Sequence, residues 1–105
     1  LENIQMGVLV EDENRDIALV NQTFCQLFHI PGSPEKIVGM NCVATASDTA
    51  QLFNDPDLFI HRIDELLEAR ELVVNEELIL TDGRVFERDY IPIFIDDEYR
   101  GNDWK

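Results

Sequence analysis

The stretch IALVNQTFCQLFHIPG, residues 17–32, packs a short apolar run, a lone asparagine and a short helical pattern into sixteen residues. Asn21 ends the strand and starts the helix, because its side chain can accept from the free N–H groups of the next turn. Pro31-Gly32 cannot continue that helix. Phe24, Leu27 and Phe28 fall on one apolar stripe, while Cys25 and His29, four apart, share the flank of it. Two ligands do not complete a structural zinc site, which takes four, and Cys42 adds a third only if its loop folds back. No metal site is therefore expected. Cys25 reads as a flanking thiol, and His29 as an exposed or capping residue near a helix C-terminus.

Working outward, MGVLVEDENRDIALV at residues 6–20 reads as a hairpin, with Val8 and Val10 alternating with Leu9 and Glu11 and the polar DENR making the turn. Downstream, SPEKIVG predicts a short helix with Ser33 as cap, Pro34 at its first position and Gly39 as stop. The next stretch, MNCVATASDTAQLFN, is irregular and short-helical at best. Asp55 caps the clearest helix, PDLFIHRIDELLEAREL, whose Phe59, Ile63, Leu66 and Leu67 form one stripe.

A second hairpin follows, EELIL and RVFERDYIPIF around Thr81-Asp82-Gly83, since Asp-Gly is a strong hairpin signal. A two-residue turn at Asp82-Gly83 pairs Leu80 with Val85, Ile79 with Phe86 and Glu77 with Arg88. Ile79 and Phe86 then share one face, and Leu78, Leu80 and Val85 the other. A further turn at DDE leads into a fifth strand. The order predicts an α+β fold: a single five-stranded antiparallel sheet with helices packed on one face. Its apolar second face calls for a cover, either a flanking helix or another copy of the chain.

The 105 residues are the size of one domain, spanning 1–105. Asp and Glu number 22 against 8 Lys and Arg, a net charge of −14. Such a chain repels nucleic acid and anionic lipid, so neither is expected as a partner. No apolar run approaches the roughly 20 residues needed to span a bilayer, so no membrane insertion is expected. Two cysteines outside any CxxC spacing read as reduced thiols and point to the cytoplasm. The start at Leu1 and the stop within YRGNDWK read as a domain excised from a longer chain and truncated within its last strand.

Taken together, GVLVEDENRDIALVNQTFCQLFHI (7–30), DPDLFIHRIDELLEA (55–69), DGRVFERDYIPIF (82–94) and YRG..W (99–104) resemble a PAS domain. Their features are a glycine-led first strand, a second strand ending in Asn before a Phe-containing helix, a long connecting helix, and a DG hairpin with Pro in its second strand. The likeness is greatest to PAS modules of bacterial and archaeal sensor histidine kinases. It implies a non-catalytic module that senses a small molecule or pairs with a partner, as in a homodimer. Strain then passes through the last strand to a covalently attached effector domain.

A mixed apolar pocket between the long helix and the sheet would be walled by Phe28, Ile37, Phe53, Phe59, Ile63, Leu78, Tyr90 and Ile93. Glu87, Arg88 and Asp89 lie mid-strand; either they face solvent or one enters the pocket, where Arg88 would suit a carboxylate. If the core is fully packed instead, the outer sheet face carries the function. Ile79, Phe86 and the segment before Gly7 would then make a dimer interface.

No cofactor is expected. His61 points away from the stripe of its helix, which disfavours haem ligation. GMNCVAT at 39–45 partly matches the reactive-cysteine motif of the light-sensing LOV relatives, but Val43, Ala44, Thr45 and Ala46 stand where that motif has Arg, Phe, Leu and Gln, so its polar groups are missing. Cys42 reads as a small buried hydrophobe. Neither serine lies in a nucleophile-elbow context, and no phosphate loop or HExxH is present.

Overall fold

The computed structural model describes residues 6–105. Strands β1 (Leu9–Asp12) and β2 (Ile17–Val20) form the first hairpin. Its turn is held by the Asp12 carboxylate, which accepts from the N–H groups of Asn14 (2.9 Å) and Asp16 (3.0 Å). Asn21 then caps helix α1 (Gln22–Leu27), accepting from Phe24 N–H at 2.9 Å. The same oxygen accepts from Val8 N–H at 3.0 Å, so the cap also fastens the helix to the start of β1.

A 3-10 turn at Pro34–Lys36 leads to helix α2 (Cys42–Thr49), where an irregular stretch is expected from sequence. Asn41 caps it, accepting from Val43 N–H at 3.0 Å. The residues of α2 are mostly small or polar, so they give no apolar stripe, and the signal lay in the cap alone. Helix α3 (Pro56–Ala69) is capped by Asp55, which accepts from Leu58 N–H at 3.0 Å. It stops where Arg70 turns left-handed (φ 51°), short of the expected end at Leu72. Ile63 and Leu66 are buried beneath it, as its stripe predicts.

Strands β3 (Val73–Ile79), β4 (Val85–Ile95) and β5 (Glu98–Trp104) complete a five-stranded antiparallel sheet in the order β2-β1-β5-β4-β3. The fold is α+β, with the helices on one face. Asp96 and Asp97 both have positive φ (53° and 65°), the two-residue geometry that matches strand twist in the β4–β5 turn.

The β3–β4 hairpin corrects the expected register. Leu80 N–H donates to Arg84 O (2.9 Å) and Gly83 N–H to Leu80 O (3.0 Å), with Gly83 left-handed at φ 91°. The turn thus holds three residues, not two, because Asp-Gly also suits a type I turn followed by a left-handed glycine. That slip of one exchanges the faces of the β4 side chains relative to those of β3. Leu78 lies opposite Phe86, Ile79 opposite Val85, and Glu76, not Glu77, opposite Arg88. Phe86 therefore turns toward the helices, where its ring meets Phe28 edge-on at 5.6 Å. The outer-face interface candidates become Ile79 and Val85, 57% and 55% exposed.

The core runs between this sheet and the helices, through Leu9, Ile17, Val20, Ile37, Cys42, Ile63, Leu66, Tyr90 and Trp104. Cys25 belongs to it as well, buried rather than flanking. A helix of six residues is too short for its stripe to fix which neighbour turns inward. Where β5 passes β1, Gly101 (φ 143°) lies so close that a Cβ there would stand 2.0 Å from the Glu11 carbonyl oxygen.

Candidate functional site

Between the helices and the sheet lies a chamber of about 80 Å³. Six of the nine expected wall residues line it: Phe28, Ile37, Phe59, Ile63, Leu78 and Arg88. The other three do not. Phe53 stacks on Phe59 from behind (centroids 4.3 Å apart), in an isolated bridge to Leu80. Tyr90 is fully buried below the chamber, its hydroxyl donating to Asn102 Oδ1 at 2.6 Å. Burial, reinforced by neighbouring Tyr99, pushes that phenol upward from its ordinary pKa. Ile93 alternates with Tyr90 and Pro92 along β4 and so points to the outer face, opposite Gly101.

Arg88 is the charged residue of the mid-strand trio that enters the site. It is 8% exposed, and its Nη2 donates to Glu76 Oε1 at 2.6 Å. A β-bulge in β3, with Asn75 left-handed at φ 59°, brings Glu76 opposite it. The other Glu76 oxygen accepts from Arg62 of α3, at 2.9 Å from Nε and 2.6 Å from Nη2. Burial alone would raise the Glu76 pKa, but the hydrogen bonds from Arg62 and Arg88 outweigh it and hold the carboxyl below its ordinary value. Burial pulls the Arg88 guanidinium down, against the opposing pull of Glu76. The Arg88 guanidinium also lies 5.6 Å from the Trp104 ring and 5.9 Å from Phe59. Its Nε–H has no acceptor among the described residues.

The opposite wall holds a residue that sequence reasoning missed. Glu11 is 1% exposed and accepts from Arg15 Nε (2.9 Å), Asn102 Nδ2 (3.0 Å) and Trp104 Nε1 (2.9 Å). Alternation with Leu9 was its signal, since both share the inner side of β1. Beside it, Cys42 is buried at the start of α2. Burial first, and the Glu11 carboxylate second, push its thiol up to about 12.

A second hollow, about 340 Å³, adjoins the chamber and is lined by Met6, Gly7, Phe86 and Lys105 among others. Phe24, Phe28, Leu78, Arg88 and Trp104 line both spaces, so Arg88 stands in their common wall. Of the proposed interface segment before Gly7, residues 1–5 lie outside the described residues.

His61 is on the water side of α3, 3.8 Å from Glu65. An apolar cavity of about 150 Å³ holds benzene, so a chamber of about 80 Å³ is too small for a flavin ring or haem. Cys25 and His29 part company: the thiol is in the core, while exposed His29 sits 3.2 Å from Arg84 Nη2. Among the described residues, no three His, Cys, Asp or Glu cluster as metal ligands. No described helix is long and apolar enough to cross a membrane.

No curated protein matches the chain. Solved structures match in fold. A domain of an HTR-like protein from Haloarcula marismortui is 17% identical, with a TM-score of 0.60 over 93% of this chain and 91% of that one. The PAS domain of BvgS from Bordetella pertussis is 20% identical, with a TM-score of 0.62 over 93% of this chain and 72% of that one. A PAS domain from a two-component sensor histidine kinase is 19% identical, with a TM-score of 0.52 over 97% and 83%. The family model described as PAS domain matches residues 1–71, that is 71 of 105 residues. On that match the chain belongs to the PAS domain family.

Proposed function

We propose that this PAS domain is the sensory module of a larger cytoplasmic signalling protein, a sensor histidine kinase, and that a small ligand in the chamber sets its state. PAS domains are in general non-catalytic, so the work of residues 1–105 as one domain is binding and relay. The single observation that carries this reading is the chamber itself, apolar in most of its wall with the buried Arg88 guanidinium in it. Its wall includes Trp104 of β5 and Leu9 of β1 as well as Ile63 of α3. A ligand seated there touches both layers at once and can bias how β5 is held, and through β5 a covalently attached effector domain.

Native mass spectrometry of the freshly purified chain, followed by denaturing extraction, tests the reading. A small molecule retained by the native chain and released on unfolding is the expected result. A chain that carries nothing, and whose chamber residues respond to no added ligand, would count against it.

A second reading has its own support. Leu19, Ile79, Val85 and Ile95 are each more than half exposed, and by strand alternation they share the outer sheet face. That surface suits a homodimer in which the sheet, rather than the chamber, carries the signal.

A further inference from the structure

We infer that the chamber takes a short monocarboxylate, about acetate to butyrate in size, whose carboxylate accepts a hydrogen bond from Arg88 Nε–H. The inference rests on the ligand-sensing reading and names the class of ligand. It starts from an unsatisfied group. Arg88 is 8% exposed, and its Nε–H finds no acceptor among the described residues. A buried donor left unpaired is costly, and one on a charged group more so. Glu76 does not serve it: Oε1 takes Arg88 Nη2, Oε2 takes Arg62, and neither oxygen meets the Nε–H.

Charge balance points the same way. Arg62, Arg88 and Glu76 form a cluster of two cations and one anion. Glu65 also approaches Arg62, at 3.5 Å, and both side chains reach water, so this pair is screened. Across the chamber, Glu11 and Arg15 pair at 2.9 Å and cancel. Among the residues that line the chamber, Arg15 and Arg88 face a single carboxylate, Glu11, inside a chain whose net charge is −14. A single buried anion would complete both the hydrogen bond and the charge.

Shape sets the rest of the molecule. Beyond Arg88 the lining is mostly apolar and includes Ile17, Ile37, Ala46 and Ile63, which accept a short alkyl tail, with Glu11, Arg15, Thr45 and Thr49 among its polar members. About 80 Å³ is roughly half the cavity that holds benzene, room for a few carbon atoms. A dicarboxylate would press its second charge onto that apolar lining or toward Glu11. The adjoining 340 Å³ hollow shares the Arg88 wall and offers the route in.

The test is an NMR titration of the 105-residue chain with sodium propionate, propionamide, sodium succinate or sodium chloride at fixed ionic strength, with xenon as an apolar probe. Propionate should shift the Arg88 Nε–Hε resonance and the Ile37 and Ile63 methyls saturably. Propionamide and succinate should bind about tenfold more weakly or less. Ala46→Leu, which fills the chamber and leaves Arg88 and Glu76 in place, should abolish the propionate shift; Arg88→Lys, which keeps the charge and removes Nε, should weaken it by a similar factor. Equal binding of propionate and propionamide overturns the carboxylate and leaves the chamber standing. Shifts that persist in Ala46→Leu, or that chloride reproduces, overturn it too. If no probe, xenon included, moves the Ile37 and Ile63 methyls, the ligand-sensing reading falls with it.

Discussion

Arg88 on β4 and Glu76 on β3 face each other across the strands, with Arg88 Nη2 donating to Glu76 Oε1 at 2.6 Å, and Arg62 of α3 closes on the same carboxylate. Sheet and long helix are thus tied through one side chain. Glu76→Gln leaves two guanidinium groups facing a neutral amide. The expected loss is about 2–3 kcal/mol, at the low end for a broken internal pair because the Glu76 side chain keeps 23% exposure. Urea denaturation at neutral pH measures it.

The same carboxyl gives a pH signature. Its folded pKa lies below the ordinary 4.5, so its contribution is present above pH 4.5 and is lost as pH falls through the lower folded value. The wild-type chain should lose stability in that acidic window more steeply than Glu76→Gln. Parallel curves for the two proteins would contradict the assignment.

Gly101 tolerates no side chain. A Cβ would stand 2.0 Å from Glu11 O and 2.9 Å from Asp12 Cα, both backbone atoms that cannot swing aside. Gly101→Ala should cost about 3 kcal/mol or more, or prevent folding, through both the clash and the φ of 143°. Gly39→Ala, where a Cβ meets nothing within 4 Å, is the control. It should cost about 1 kcal/mol, from its positive φ alone.

Asn21→Ala removes an acceptor shared by Phe24 N–H and Val8 N–H, and a donor to Met6 O at 2.8 Å. An ordinary cap is worth about 1 kcal/mol; this one should cost about 2 kcal/mol, because a strand N–H is orphaned along with the helix N–H. Amide exchange at Val8 and Phe24 should accelerate together.

Ile79→Glu and Phe86→Glu separate the two sheet faces. Ile79 is 57% exposed on the outer face, so its change should leave the unfolding midpoint nearly unmoved and weaken any self-association seen by sedimentation. Phe86→Glu puts a charge against Phe28 and should destabilise the fold by about 3 kcal/mol or more. If both substitutions instead left the midpoint unmoved, the two-residue turn, which puts both side chains on the outer face, would be restored.

Those two positions mark where sequence stops being sufficient. Asn21, Asp55 and the stripe on α3 were legible because caps and helical periodicity are local. Thr81-Asp82-Gly83 announced a hairpin, but two turn geometries share its letters, and only long-range packing chooses between them. The same one-residue ambiguity hid the Glu76–Arg88 pair and put Phe86 on the wrong face. Cys25 was misplaced because its helix has barely two turns. Glu11 escaped because a carboxylate in a strand usually faces water; its partners Asn102 and Trp104 lie at the far end of the chain.

That distance has a kinetic consequence. The β1–β2, β3–β4 and β4–β5 pairs form between neighbours in sequence, but β1 and β4 are joined only through β5, the last of the five in chain order. Glu11 waits 93 residues for Trp104. Until β5 arrives, β1 and β4 each present an open edge, and closing that long loop should set the pace of folding. A nascent chain stalled just short of Gly101 should therefore be protease-sensitive throughout. Release of a few more residues should protect the whole sheet in one step.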